Sequence, residues 1–502
     1  VVVLVLAVAA GLQWQRARAN LAAARAAISS LITAAETVQP IAQLDTVQAL
    51  IEPVHKTIDE FSVTGDQTIE LERAQTLLIL AEIDWDRADL PRMQQEAETA
   101  LGYLTPLAKI DDLEAQHQLA RSHRLIGLAH WEADQNKEAE REYNQAIVGL
   151  TDMLAKHGDK PDAWRWRRSL ADVKQELGDL LLQHLGQIDA AAANYDASYK
   201  IRVDLTQQGH ADPVFYADVA WVINKLGDVE LKRGDRVAGE QKHAHRRKAV
   251  ELFQKAQQAF VDLKDHLSDR LVWPHHLALI DNNIGLIDVR NGDFGAAIAE
   301  FDRAVRVLRP VVERDPKNLY RLSALAWTYD NQGNVTLKLA DSSDSDHLTQ
   351  LQNAKLRFEL ALELRRKIHG DARAKKLWEF DLDESEADVV ATQGLIDRLS
   401  EKHREAAEEF DQAAQFLTLA EEVFARESTN KQSVNAELVA RNIEYLDYAA
   451  EEYTALGDAD HARRDLTQAT QMFDTYRSIL DAADIERLRK LLAADAVGST
   501  AN

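Results

Sequence analysis

The chain has 502 residues, long enough for about two to four ordinary domains or one long repeat array. Apolar residues make up 46%, with only 9 prolines and 20 glycines, so a large core can be buried and helix is favoured almost everywhere. A net charge of −24 argues against nucleic acid as a partner, and the absence of cysteine removes disulfides, thiolate metal sites and cysteine nucleophiles together.

The chain opens VVVLVLAVAAGLQWQRARAN, apolar without a break through residue 12. As a helix this run spans about 18 Å, short of the ~30 Å hydrocarbon core of a bilayer. Three readings compete. The first is the end of a transmembrane helix over 1–13, with Trp14 at the interface and Arg16, Arg18 and Arg25 beyond it. The second is a truncated signal peptide cleaved at Ala7-Val8-Ala9, and the third is a buried helix of the fold. The Ala-rich pattern that continues to Val38 favours the first and makes 14–66 a helical stalk.

A spacing then recurs along the chain. A degenerate form lies at 70–104 around Ala81, Ala97 and Ala100. The full form has Gly127, then Ala139, Tyr143 and Ala146. Gly178 with Ala191 and Tyr195 is shifted by one residue, and Gly227 keeps the first half while the second is blurred. Gly285, Ala297, Phe301 and Ala304 repeat the full spacing. Gly333 has Ala354, Phe358 and Ala361 displaced by a polar insertion near 341–349. Gly394, Ala406, Phe410 and Ala413 are full again, and Ala450, Ala462 and Ala469 close the series. Residues on either side of each polar turn fall at helical offsets, so each copy predicts a helical hairpin. The glycine and first alanine let two helices approach, and the aromatic fills the gap to the neighbouring hairpin. One hairpin cannot bury both faces, so stacking is required. A capping helix is expected near 482–494 within 481–502, with the last residues AVGSTAN frayed.

These residues resemble the tetratricopeptide repeat, over 67–480. The glycines are 48 to 61 residues apart, whereas the family's unit has about 34. The resemblance implies an all-α, right-handed superhelical solenoid of about eight long hairpins. The long unit and the segment AQLDTVQALIEPVHKTIDEF resemble the C-terminal arrays of bacterial single-span membrane signalling proteins. That implies a non-enzymatic protein–protein interaction module, the sensing or scaffolding arm of a membrane-anchored signalling protein. Its expected location is the bacterial inner membrane, single-pass, with the side of the array unresolved. The alternative is a membrane-tethered assembly scaffold with no upstream effector. The expected partners are a protein or peptide and, through the N-terminal helix, the membrane.

No phosphate loop, dinucleotide fingerprint, zinc-protease motif or nucleophile elbow occurs, so no catalytic residue, metal or cofactor is expected. His275 and His276 are adjacent and point about 100° apart on a helix, too divergent to share an ion. His243 and His245 lie in a basic stretch that offers a local anion patch or a solvated face. Trp166 in AWRWRRSL sits at a recurring aromatic position, shared by Phe215 and Trp273, where packing accounts for it. Glu408 and Glu409 read as a solvated face. The candidate ligand contacts form a row. In tetratricopeptide arrays the residue three before the glycine points into the groove, and here those residues are Arg124, Gln175, Asn224, Asn282 and Asp330. Such side chains can hold a peptide backbone or terminal carboxylate, or form ordinary solvated faces. The row fails at Ala391 in the sixth copy.

Overall fold

The computed structural model describes residues 26–35, 43–60, 66–110, 112–208, 212–263, 266, 272–341, 346–371, 379–427, 435–480 and 482–498. The described residues are helical with short turns and no strand. They divide into two compact units, Val1–Pro274 and His275–Asn502.

In the first unit, α1 (Leu44–Glu60) precedes four hairpins. They are α2–α3 (Gln67–Asp86, Leu90–Ala108), α4–α5 (Leu113–Glu132, Asn136–His157), α6–α7 (Ala163–Gln183, Ile188–Gln207) and α8–α9 (Pro213–Asp235, Gly239–Leu263). The second unit carries α10–α11 (Val272–Asn291, Phe294–Arg314), with α10 counted from His275. It continues with α12–α13 (Leu319–Asp341, His347–His369), α14–α15 (Glu379–Leu399, His403–Glu427) and α16–α17 (Ala436–Ala455, Ala459–Tyr476), and ends in α18 (Ala482–Gly498). Among the described residues there are thus eight hairpins of the all-α, tetratricopeptide-like kind. The long repeat spacing is taken up by long helices: α4 has 20 residues and α5 has 22, about 30 Å each.

The turns explain why each hairpin closes so sharply. Gly292 (φ 80°) and Gly457 (φ 75°) take the left-handed conformation that a side chain disfavours. The next residue's N–H then reaches back over the helix end: Asp293 donates to the Asp288 carbonyl and Asp458 to the Tyr453 carbonyl, both at 2.9 Å. The same two aspartates cap the following helix, Asp293 accepting from Ala296 N–H at 3.1 Å and Asp458 from His461 N–H at 3.4 Å. A Gly-Asp pair therefore ends one helix and starts the next.

Between the two helices the repeat glycine lies against the aromatic ring. A Cβ placed on Gly285 would come 2.6 Å from the Phe301 ring, and on Gly333 2.5 Å from Phe358. The equivalent approaches are 3.0 Å for Gly127 on Tyr143 and 2.9 Å for Gly394 on Phe410. Those four rings are wholly buried, as are Ala139, Ala146, Ala297, Ala304, Ala406 and Ala413. The copy that is blurred in the sequence has its aromatic too. Gly227 meets Phe253 at 2.5 Å, and Ala249, Phe253 and Ala256 keep the Ala-aromatic-Ala spacing. Its displacement has a simple cause: α8 runs eight residues past Gly227 to Asp235, and α9 starts ten before Ala249.

Residues 26–35 and α1 share an apolar cluster with α2. Leu44, Val47, Ile51, Val54 and Ile58 recur at three- and four-residue steps and bury against Ile69, Ile79, Leu80 and Ile83. Arg87 of the α2–α3 turn closes this contact on Asp45 at 2.5 Å.

The expected single-pass location in the inner membrane is overturned. No helix among the described residues is long and apolar enough to cross a membrane. Helices α1–α18 each set their apolar stripe beside charged side chains, which suits packing against one neighbour rather than lipid on all sides. The apolar run assigned to a span at 1–13, and residues 499–502 of the expected frayed end AVGSTAN, lie outside the described residues, whereas 496–498 belong to α18.

Candidate functional site: a polar face in the first unit

In three hairpins of the first unit, the first helix presents charged residues three, four or seven apart, which a 3.6-residue period gathers on one face. Arg121 and Arg124 stand on α4, Asp172, Glu176 and Asp179 on α6, and Asp218, Lys225 and Asp228 on α8. They bond from hairpin to hairpin. Arg121 grips Glu82 of α2 with Nε at 3.0 Å and Nη2 at 2.7 Å. Arg124 donates to Glu176 of α6 at 2.9 Å and 2.6 Å, and its Nη1 lies 3.8 Å from Glu82. Arg168 reaches Asp218 at 2.9 Å, and Lys225 returns to Asp179 at 2.9 Å. Buried Arg202 of α7 joins Asp172 at 2.9 Å to Asp218 at 3.3 Å.

This ladder sets the electrostatics. Burial pushes the Glu176 carboxyl above its ordinary value against the pull of Arg124, while the carboxylates around Arg124 hold that guanidinium charged. Asp228 is pushed up to about 7 by burial and by Asp179, with Lys225 opposing.

A cavity of about 250 Å³ opens between α4 and α6. Arg121, Arg124, Arg165, Glu82 and Asp172 provide its charged lining, and Ala120, Leu150 and Val173 its apolar floor. His117, 7% exposed, completes it with Ser169, its Nε2 lying 2.8 Å from the serine Oγ. Burial pushes His117 down to about 4, helped by Arg165 and Arg121 and opposed by Glu114. The ring is therefore neutral near pH 7.

The five residues of the expected row fall in two places. In the first unit Arg124 lines the cavity, Gln175 accepts from Arg202 at 3.1 Å, and Asn224 is 1% exposed. In the second unit Asn282 is fully buried, donating to Thr328 Oγ1 at 2.9 Å and to the Ala278 carbonyl at 3.0 Å, and accepting from Asn331 at 3.2 Å. Asp330 lies 3.5 Å from Arg365, which also meets Asp381 at 2.6 Å. Burial pushes Asp330 up to about 7. Ala391 is buried.

Sequence reasoning missed Glu176, His117 and Ser169. The available signal was the repeat spacing itself. Arg124–Glu176 and His117–Ser169 are each separated by 52 residues, against 51 between Gly127 and Gly178. Like positions of successive hairpins therefore carry complementary groups.

The other candidates have structural partners. His245 and Lys248 converge on Glu230 at 2.7 Å and 2.8 Å. Trp166 and Phe215 are buried, the latter edge-on to Trp164. The rings of His275 and His276 lie 6.1 Å apart.

Solved structures of similar fold include a signal transduction ATPase with numerous domains that carries a tetratricopeptide repeat sensor, from Pyrococcus horikoshii. It is 10% identical with a TM-score of 0.47, over 89% of this chain and 55% of that one. Aspartyl phosphate phosphatase F from Bacillus subtilis is 14% identical with a TM-score of 0.43, over 89% and 93%. A Rap protein complexed with Competence and Sporulation Factor is 12% identical with a TM-score of 0.41, over 91% and 99%. Neither a protein-family model nor a curated protein sequence matches this chain.

Proposed function

We propose that the chain is a non-enzymatic protein–protein interaction module, the sensing or scaffolding arm of a bacterial signalling protein, and that it binds an extended peptide on the α4–α6–α8 face of the first unit. The observation that carries this reading is the cavity between α4 and α6. Donors and acceptors line its wall, an apolar floor lies beneath, and the ladder of ion pairs continues from α6 to α8. An extended peptide presents alternating main-chain donors and acceptors and side chains in turn, which such a surface complements. The ladder gives the peptide a preorganised partner, because its side chains are already held by charged hydrogen bonds.

The test uses linear 12-residue peptides selected by display on the full chain, then measured by calorimetry. Asp172→Trp would fill the cavity from its rim, and Arg202 would keep Asp218 as a partner. Binding is expected to weaken at least tenfold with the helical circular dichroism unchanged. Equal affinity for the two proteins would place the peptide elsewhere and remove the proposal.

A further inference from the structure

Three guanidiniums in one cavity would suggest a site for an acidic group, but each already has its carboxylate. Arg121 is held by both oxygens of Glu82, Arg124 by Glu176, and Arg165 by Glu114 at 3.3 Å. An incoming carboxylate would have to displace one of these and leave a largely buried protein carboxylate unpaired, which is strongly disfavoured. A basic side chain fares no better, since Asp172, the remaining acid of the lining, receives Arg202.

What the cavity offers beyond its ion pairs is neutral. Ser169 Oγ carries one donor and two acceptor sites, and its contact with His117 uses one of them. His117 Nδ1 is buried and makes no hydrogen bond, so the ring acts on the cavity through its Nε2 contact with Ser169. Ala120, Leu150 and Val173 give a short apolar wall on which a methylene stem can lie.

Building on the peptide-binding reading, we infer that this cavity selects an uncharged carboxamide side chain, asparagine or glutamine, from the bound peptide and discriminates against acidic and basic ones. A carboxamide brings two donors and one acceptor, and it disturbs none of the ion pairs. The neutral state of His117 fits this use, because the ring then has one donor and one acceptor nitrogen.

The experiment takes a selected 12-residue peptide whose binding is blocked by Asp172→Trp. The residue in the cavity is varied through Gln, Asn, Glu, Lys and Leu, with calorimetry at 50 and 300 mM NaCl. Gln or Asn is expected to bind at least tenfold tighter than Glu or Lys, with less than a threefold change between the two salt concentrations. Ser169→Ala is expected to reduce the preference of Gln over Leu without lowering the affinity of the Leu peptide. A best binder carrying Glu or Lys, or five affinities within threefold, would overturn the inference and leave peptide binding intact. If no selected peptide is blocked by Asp172→Trp, the binding reading falls and this inference with it.

Discussion

Phe301→Ala is expected to destabilise the second unit by about 3–5 kcal/mol, the range for removing a buried aromatic. For a unit of this size that is a fall of about 6–20 °C in Tm. The ring is wholly buried, closes over Gly285 and packs with Ala297 and Val335. The cavity left behind cannot collapse easily, because the α10–α11 approach is fixed by the turn at Gly292. The complementary change, Gly285→Ala, would put a Cβ 2.6 Å from Phe301 and is expected to cost about 1–3 kcal/mol by overpacking. Gly149→Ala, in the middle of α5 with nothing within 4 Å of the added carbon, is expected to stabilise by up to about 1 kcal/mol. Thermal and urea unfolding of the three variants measures all of this. A Gly285→Ala protein as stable as Gly149→Ala would refute the close-approach account of the repeat.

The second large effect lies in a charged cluster of the same unit. Arg441 is bonded to Asp388 of α14 and, at 2.7 Å, to Glu384. Asp388 is 5% exposed, and burial pushes it up to about 8 even with Arg441 beside it. Arg441→Ala leaves that carboxylate without its main partner and is expected to cost about 3–5 kcal/mol at pH 10, where the group is ionised in the wild type. The loss should shrink on acidification. A carboxyl whose folded pKa is raised binds its proton more tightly in the folded state, so its favourable contribution is complete below about pH 4 and is lost as pH rises toward 8. Without Arg441 the folded pKa rises further, so at pH 6 the buried group is neutral and the penalty is smaller. Urea midpoints at pH 6 and pH 10 test this. A loss that grew on acidification would contradict the assignment of the cost to an unpaired carboxylate.

The fold was legible where geometry leaves no choice of residue. A position under a ring at 2.5–3.0 Å tolerates no side chain, so the glycines at 127, 285 and 394 stand out, with their aromatics at a constant distance along the chain. The fourth hairpin was obscured because its tip is longer, which lengthens the count from Gly227 to Phe253 without altering their contact. The site was only partly legible. Polarity at Arg124, Gln175 and Asn282 was visible, but polarity alone does not reveal a partner one repeat away. Asn282 is buried on Thr328, and Arg124 is tied to Glu176. The pairing depends on how successive helices are offset, and a one-residue difference decides that Glu176 rather than Gln175 meets the guanidinium. For His117 and Ser169 the only signal was their separation of 52 residues, close to one repeat, because neither belongs to a repeat-defining position.

The most direct test is photo-crosslinking of a selected 12-residue peptide, carrying a benzophenone beside the residue that enters the cavity, to the full chain. The attached residues are then read by mass spectrometry. The account predicts attachment around Ala120 of α4, Leu150 of α5 and Val173 of α6, lost in Asp172→Trp. Attachment confined to α3, α5 or α7 away from this cavity, and unchanged in Asp172→Trp, would contradict it.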